Sequence, residues 1–251
     1  MAIIIKYGGN AMTDPQTRLG MAKAIANLKD QSPIVVHGGG PFIQEALDKA
    51  GLEHRFINGL RVTTAESLPV IEQVLTLLGK NLAQEIGNAI GLTGRDAAVV
   101  TATLKDDSLG YVGSVNSVNT HLLEALLKAQ ITPVIACVAA NEEKSGVLNV
   151  NADEVAGAIA AAMGLGTVFL TNVAGVLDDP SKPESLQTEL SRADIDARIA
   201  DGRISGGMIP KVQSALDALD QGAPYAIIAD GRFPDLLSAA ISGKAGTRVT
   251  Q

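Results

Sequence analysis

Five short segments, four of them holding glycines and one the amides of Asn149 and Asn151, place charged or amide side chains at the edge of an apolar run. Lys6-Tyr7-Gly8-Gly9-Asn10 follows an isoleucine triplet and precedes a helix-length segment. A strand, a glycine turn and a helix start aim backbone N–H groups at one point, which suits an anion. Lys6 adds a mobile positive charge there. His37-Gly38-Gly39-Gly40-Pro41 repeats the arrangement after Ile34-Val35-Val36, with Pro41 where a first helical residue would stand. Three adjacent glycines sacrifice chain entropy, and close approach of backbone to a ligand is a reason to do so. Ligands of open α/β sheets gather at the carboxyl ends of parallel strands, so two such turns on consecutive strands mark an anion site. His37 reads as a packed strand-end residue rather than a base.

The other three segments are ambiguous taken singly. Arg61 in Asn58-Gly59-Leu60-Arg61-Val62-Thr63 can offer a planar fork to a carboxylate, or can be a solvated arginine. Asp153 in Leu148-Asn149-Val150-Asn151-Ala152-Asp153 stands where a helix cap or first-turn acid would go. Lys211 follows the pair Gly206-Gly207 and by itself reads as a solvated helix residue. Several familiar signals are missing. Gly79-Lys80-Asn81 and Gly243-Lys244-Ala245 lack the Ser or Thr of a P-loop. No Gly-x-Gly-x-x-Gly follows a strand, His37, His54 and His121 lack metal-ligand spacing, and there is no Gly-x-Ser-x-Gly elbow. Oxidoreductase and hydrolase chemistry have little support.

These residues need a scaffold that brings distant turns together. Strand-like runs at 3–5, 34–36, 97–102, 134–138, 168–170 and 226–229 alternate with helical segments at 17–28, 42–50, 67–90, 122–129, 154–163 and 211–219. That alternation predicts an α/β fold with a parallel sheet covered by helices. Thr63-Thr64-Ala65-Glu66 has capping-box spacing at the start of the longest helix. Residues 53–62, and 111–118 followed by 138–150, break the alternation and suggest hairpins over one sheet edge. Residues 178–184, with Pro180 and Pro183, form a loop between the halves of the chain.

Composition agrees. The 251 residues are 46% hydrophobic but 3% aromatic, as suits Ala, Val, Ile and Leu packed between helices and sheet. A net charge of −7 argues against a nucleic-acid surface, so the positive partners of any anionic ligand must be local. Cys137 is alone in an apolar run and reads as a small buried hydrophobe. No signal-peptide pattern opens the chain, and its longest apolar stretch is short of the ~20 residues that span a bilayer. A cytoplasmic protein with no membrane contact is expected.

Lys-Tyr-Gly-Gly-Asn-Ala-Met, His-Gly-Gly-Gly-Pro, Asn-Gly-Leu-Arg-Val-Thr, Asn-Val-Asn-Ala-Asp and Gly-Gly-Met-Ile-Pro-Lys, in this order, resemble the amino acid kinase family from Ile3 to about Arg248. The glycine loops and lysines mark the family. The segments around Arg61 and Asn149 are most similar to members that phosphorylate N-acetyl-L-glutamate in arginine biosynthesis. The resemblance implies a three-layer α/β/α sandwich of the carbamate kinase-like type, a single domain with two lobes. The N-lobe, about 1–179, would hold the acyl substrate and the dimer contact. The C-lobe, about 180–251 with the strand end at 167–177, would hold the nucleotide.

By the same resemblance Lys6 and Lys211 stabilise the transferring phosphoryl group and Asp153 holds both lysines. Gly8, Gly9, Gly39 and Gly40 supply backbone donors to phosphate or substrate. Arg61 and Asn149 hold the amino-acid substrate. Asn172, Val173, Gly175, Val176 and Leu177 border the adenine, with Arg203, Ile204 and Ser205 close to the nucleotide; Asn172 stands where many members have Asp. The implied partners are N-acetyl-L-glutamate and ATP with Mg2+, the metal held mainly by phosphates with no protein metal cage. A homodimer is expected. Arginine-inhibited members carry a helix before the first strand, whereas five residues precede Lys6 here, so insensitivity to arginine is expected. Two other readings fit the fold: a kinase acting on aminoadipate or glutamate attached to a carrier protein, and a non-catalytic anion-binding regulator.

Overall fold

The computed structural model describes residues 2–28 and 31–251. In chain order its strands are β1 (Ile3–Tyr7), β2 (Pro33–His37), β3 (Phe56–Ile57), β4 (Leu60–Arg61), β5 (Ala89–Thr93), β6 (Val100–Leu104), β7 (Val112–Val118), β8 (Thr132–Ala136), β9 (Val138–Asn141), β10 (Val147–Val150), β11 (Thr167–Thr171), β12 (Val176–Leu177), β13 (Leu186–Gln187), β14 (Glu189–Ser191), β15 (Ala226–Asp230) and β16 (Thr247–Thr250). The α-helices are α1 (Pro15–Ala26), α2 (Gly40–Lys49), α3 (Ser67–Ile86), α4 (Thr120–Lys128), α5 (Ala152–Met163), α6 (Arg192–Ala200), α7 (Ile209–Asp220) and α8 (Leu237–Ile241). Eight strands form the central sheet in the order β14-β16-β15-β11-β1-β2-β8-β5. Every neighbouring pair is parallel except β15 with β16. This is the α/β/α sandwich that the alternation of segments predicts.

Alternation of side chains along β1 divides the core in two. Ile3, Ile5 and Tyr7 pack with α1, α8 and the second half of α3, while Ile4 packs with α5 and α7 on the opposite face. Lys6 is in phase with Ile4, so it leaves the sheet on the α5 side at the carboxyl end of the strand. The scarcity of aromatic residues has a local reason here. A Cβ on Gly157 of α5 would lie 3.2 Å from the Ala218 Cα atom of α7, so this helix pair approaches closely through small side chains.

Four sequence expectations need correction. Residues 97–102 are not a strand of the main sheet: Asp96–Ala98 is a 3-10 turn, Ala97 and Ala98 both have positive φ, and β6 begins after them. The Asp96 carboxylate accepts the Thr93 N–H at 2.7 Å and fixes that reversal. The edge strand is instead β5, inside the segment assigned to a helix, because α3 stops at Gly87 with φ +100. The capping pair at the start of α3 lies one residue later than expected. Ser67 N–H donates to Thr64 Oγ1 at 3.2 Å and Thr64 N–H to Ser67 Oγ at 2.8 Å. Residues 178–184 fall between β12 and β13, which pair antiparallel, so they form part of a hairpin loop.

The expected hairpins are present. β3 and β4 form one, and β6, β7, β9 and β10 close into a small barrel beside the sheet. Among the described residues no helix is long and apolar enough to cross a membrane.

The close approach of α3 to β5 gives a test of the packing. A Cβ on Gly91 would lie 2.8 Å from the backbone of Gly79 and Lys80, and neither backbone can yield freely. Gly91→Ala should therefore lower stability by ~1–3 kcal/mol. Urea unfolding would show a lower midpoint with an unchanged slope, and a midpoint at or above that of the wild type would contradict this packing.

Candidate active site

The two glycine turns meet at the carboxyl ends of β1 and β2. A Cβ on Gly9 would lie 2.9 Å from the Gly40 nitrogen and 3.2 Å from the Gly39 carbonyl carbon, so the loops touch backbone to backbone. A Cβ on Gly8 would lie 3.6 Å from the Lys6 ammonium. Beside Gly40 a Cβ would meet open space, so that glycine leaves room for a ligand rather than for packing.

Lys6 reaches across to α5, where Nζ lies 2.9 Å from the Asp153 carboxylate. The helix start sets this pair. Asn151 is the cap, its side-chain oxygen accepts the Asp153 N–H at 2.8 Å, and Asp153 follows in the first turn, where the helix dipole favours a carboxylate. Both capping and ion pairing are therefore present, by two different residues. Lys211, in the first turn of α7, lines the same cavity of about 500 Å3. Its ammonium donates to the Gly207 carbonyl at 2.9 Å. Asp153 thus pairs with Lys6, whereas Lys211 is held by its own loop, a departure from the expectation that one carboxylate fixes both.

A second cavity of about 430 Å3 adjoins the first, and Gly59, Leu60 and Asn151 border both. It holds Gly39, Gly40, Arg61 and Asn149. The Arg61 guanidinium lies 4.6 Å from the centre of the Phe56 ring and donates through one nitrogen to the Gly40 carbonyl at 3.2 Å. Its other terminal nitrogen is buried with no partner. Burial holds the Arg61 pKa below its ordinary value, which still leaves a guanidinium charged at neutral pH. A buried cation with an open donor is costly unless an acceptor completes it. The Asn149 amide donates to Thr63 Oγ1 at 3.0 Å, and that hydroxyl donates to the Arg61 carbonyl at 3.2 Å, so strand β10 and the β4 end are tied together. Cys137 lines this cavity, and burial pushes its thiol up to about 12, which keeps it neutral.

Of the residues expected at the nucleotide, Asn172 lines the Lys6 cavity. The side chains of Val176 and Ile204 lie in the core. The Val176 N–H donates to Thr247 Oγ1 at 2.7 Å, and Gly175, with φ +148, has no room for a Cβ beside that hydroxyl. Arg203 is bound to Asp201 and Asp178, Ser205 is exposed, and Val173 and Leu177 are partly buried around the β12 start. Sequence reasoning missed Leu60, Ser214 and Asp217 as lining residues. Ser214 lies one helical turn beyond Lys211 and was legible from the 3.6-residue period. Leu60 carried no signal of its own. Among the described residues no group of three His, Cys, Asp or Glu side chains could hold a metal ion.

Comparison with known proteins identifies the family. The model of the amino acid kinase family matches residues 1–230. An acetylglutamate kinase of Deinococcus radiodurans is 50% identical over 98% of this chain and 99% of its own. Among solved structures, a protein of Streptococcus mutans superposes with a TM-score of 0.78 at 29% identity, covering 99% of this chain and 98% of the other. A carbamate kinase of Giardia superposes at 0.69 and 15% identity over 99% and 98%. The chain belongs to the amino acid kinase family, and it is a kinase.

His37 stands next to the second glycine turn and takes no part in either cavity. It is fully buried, its Nδ1 lies 3.1 Å from the Gly38 carbonyl, and Gly79 of α3 packs against its other nitrogen. Burial lowers its pKa to about 4 from the model-peptide value of 6.5. The folded state therefore excludes a proton that the unfolded chain accepts. Its stabilising effect is complete above pH 6.5 and is lost as pH falls toward about 4. Across that window stability should fall by up to ~1.4 kcal/mol per pH unit more in the wild type than in His37→Asn. Equal slopes of unfolding free energy against pH in the two proteins would mean that His37 takes up its proton in the fold as readily as in the unfolded chain, and would contradict this account.

Proposed function

We propose that this chain transfers the γ-phosphoryl group of ATP to the γ-carboxylate of N-acetyl-L-glutamate, releasing ADP and N-acetyl-L-glutamyl 5-phosphate. One observation carries the reading. The buried Arg61 guanidinium, with its open donor, faces a cavity that shares a wall with the cavity of Lys6 and Lys211. A dianionic amino-acid derivative fits that division: Arg61 and Asn149 take the α-carboxylate end, and the second carboxylate reaches toward the lysines. The name borne by the relative at 50% identity supports the same substrate.

The chemistry needs no general base. A γ-carboxylate, with an ordinary pKa near ~4.3, is ionised at neutral pH and is itself the nucleophile. The obstacle is repulsion between two anions. Lys6, oriented by Asp153, neutralises charge on the transferring group from the β1 side, and Lys211 does so from the start of α7. The amides of Gly8, Gly9 and Gly40 supply further donors without reorganisation. The glycine cradle fits a triphosphate, and Mg2+ bound with the nucleotide supplies charge neutralisation through phosphate oxygens. Residues about 1–179 serve as the acyl-substrate lobe, and about 180–251 with the strand end at 167–177 serve as the nucleotide lobe. Leu77 of α3 and Ile90 of the edge strand β5 are exposed, which supports a homodimer joined through the segment 67–90.

Lys6→Ala and Lys211→Ala should each lower kcat by ~10²–10³ in folded protein. A coupled ADP-release assay with N-acetylglutamate, glutamate, aspartate and carbamate tests the substrate. Turnover with N-acetylglutamate should exceed the others, and preference for any other acceptor would refute the reading. Arg61→Lys keeps the charge but loses the fork, so KM for N-acetylglutamate should rise steeply while KM for ATP stays near the wild-type value. Equal changes in both would remove Arg61 from acceptor binding.

A further inference from the structure

Asp153 and Glu154 are consecutive in the first turn of α5 and point to different neighbours. Asp153 meets Lys6. Glu154 turns to the small barrel: one carboxylate oxygen accepts the Val115 N–H at 2.8 Å, and the other lies 3.0 Å from the Lys105 ammonium. The Val115 amide is free to do this for a local reason. Ala102 pairs with Val115 and Thr101 with Ser117, so β7 carries one extra residue, Asn116, opposite β6. Such a bulge twists the strand and takes a peptide group out of the ladder. An N–H left this way must find another acceptor, and the Glu154 carboxylate is that acceptor. Val115 is 39 residues from Glu154 in the chain, so this bond joins two separate layers of the molecule.

The helix start therefore has three ties. Asn151 caps it from within, Glu154 fastens it to the barrel, and Asp153 is left to face the sheet. A helix turn held on one side by a charge-assisted bond to backbone cannot rotate or slide without breaking that bond. We propose that Glu154 is a positioning residue: by latching α5 to the β7 bulge it sets the distance and angle at which Asp153 presents Lys6 to the transferring phosphoryl group. The essential bond is the one to the Val115 N–H, with the Lys105 pair an exposed accessory. This rests on the phosphoryl-transfer reading above, and it assigns that site an outer support which neither catalytic side chain supplies.

Kinetics and structure test it separately. Glu154→Ala should lower kcat by ~10–100-fold, since small misplacements of catalytic groups cost that much, with KM for both substrates within about twofold of wild type. Glu154→Gln keeps a carbonyl acceptor for the amide and should restore most of the loss, and Lys105→Ala should turn over like the wild type. Added to Asp153→Asn, Glu154→Ala should cause little further loss in kcat, because the latch acts through Asp153. A wild-type kcat in folded Glu154→Ala, an equal loss in the Gln variant, or a full additional loss in the Asp153→Asn background would each overturn the latch. A crystal structure of Glu154→Ala gives a readout free of turnover. The Lys6–Asp153 contact should open beyond 4 Å, and an unchanged contact would overturn the proposal even if the acceptor proved to be another carboxylate.

Discussion

The ion pair between Lys6 and Asp153 is the constraint around which the site is built. It joins the last turn-facing residue of a central strand to the first turn of a helix on one face of the sheet. Both partners are partly exposed, so the pair contributes little to overall stability. Its effect is geometric. A lysine on a four-carbon stem adopts many rotamers, and a carboxylate at 2.9 Å selects those in which the ammonium stands over Gly8. The rest of the scaffold serves that placement. The parallel sheet brings the ends of β1 and β2 together, small residues let α5 pack closely on α7, and the barrel gives the start of α5 something to hold.

The division of labour follows from burial. Arg61 is buried and incompletely bonded, which suits a group that waits for a fixed partner of opposite charge. Lys6 and Lys211 keep access to solvent, which suits groups that must meet a triphosphate and release its diphosphate product. Amides of the glycine loops need neither compromise. They are fixed by the backbone and lose no side-chain freedom when an anion arrives. Cys137 and His37 lie nearby but are held neutral by burial, so neither competes for a proton in the reaction.

Much of this was legible in the sequence where local chemistry decides structure. The two glycine turns and the alternation of strands and helices follow from residue types and order, whereas the grouping of Lys6, Arg61, Asn149, Asp153 and Lys211 rests on the resemblance to the amino acid kinase family, each segment being ambiguous taken singly. What escaped depended on contacts made far along the chain. Strand β5 hides at the end of an apolar helix because only Gly87 and Asn88 separate them, and nothing local distinguishes Ile90 in a strand from Ile90 in one more helical turn. The barrel, with its bulge at Asn116, depends on pairing between segments dozens of residues apart. The carbonyl that holds Lys211 comes from a loop whose course is set by Gly206 with φ +53. Leu60 became visible only when both cavities were formed around it.

The central claim is that the acceptor carboxylate, placed by Arg61 beside the lysines, attacks phosphorus directly. Its most direct test uses N-acetyl-L-glutamate labelled with 18O in both γ-carboxylate oxygens. Hydroxylamine attacks the carbonyl carbon of an acyl phosphate and releases phosphate that keeps the bridging oxygen. The account predicts inorganic phosphate carrying one 18O, read from the isotope shift in its 31P resonance, in step with hydroxamate formation. Unlabelled phosphate with no hydroxamate would mean that water is the nucleophile, and would contradict the account.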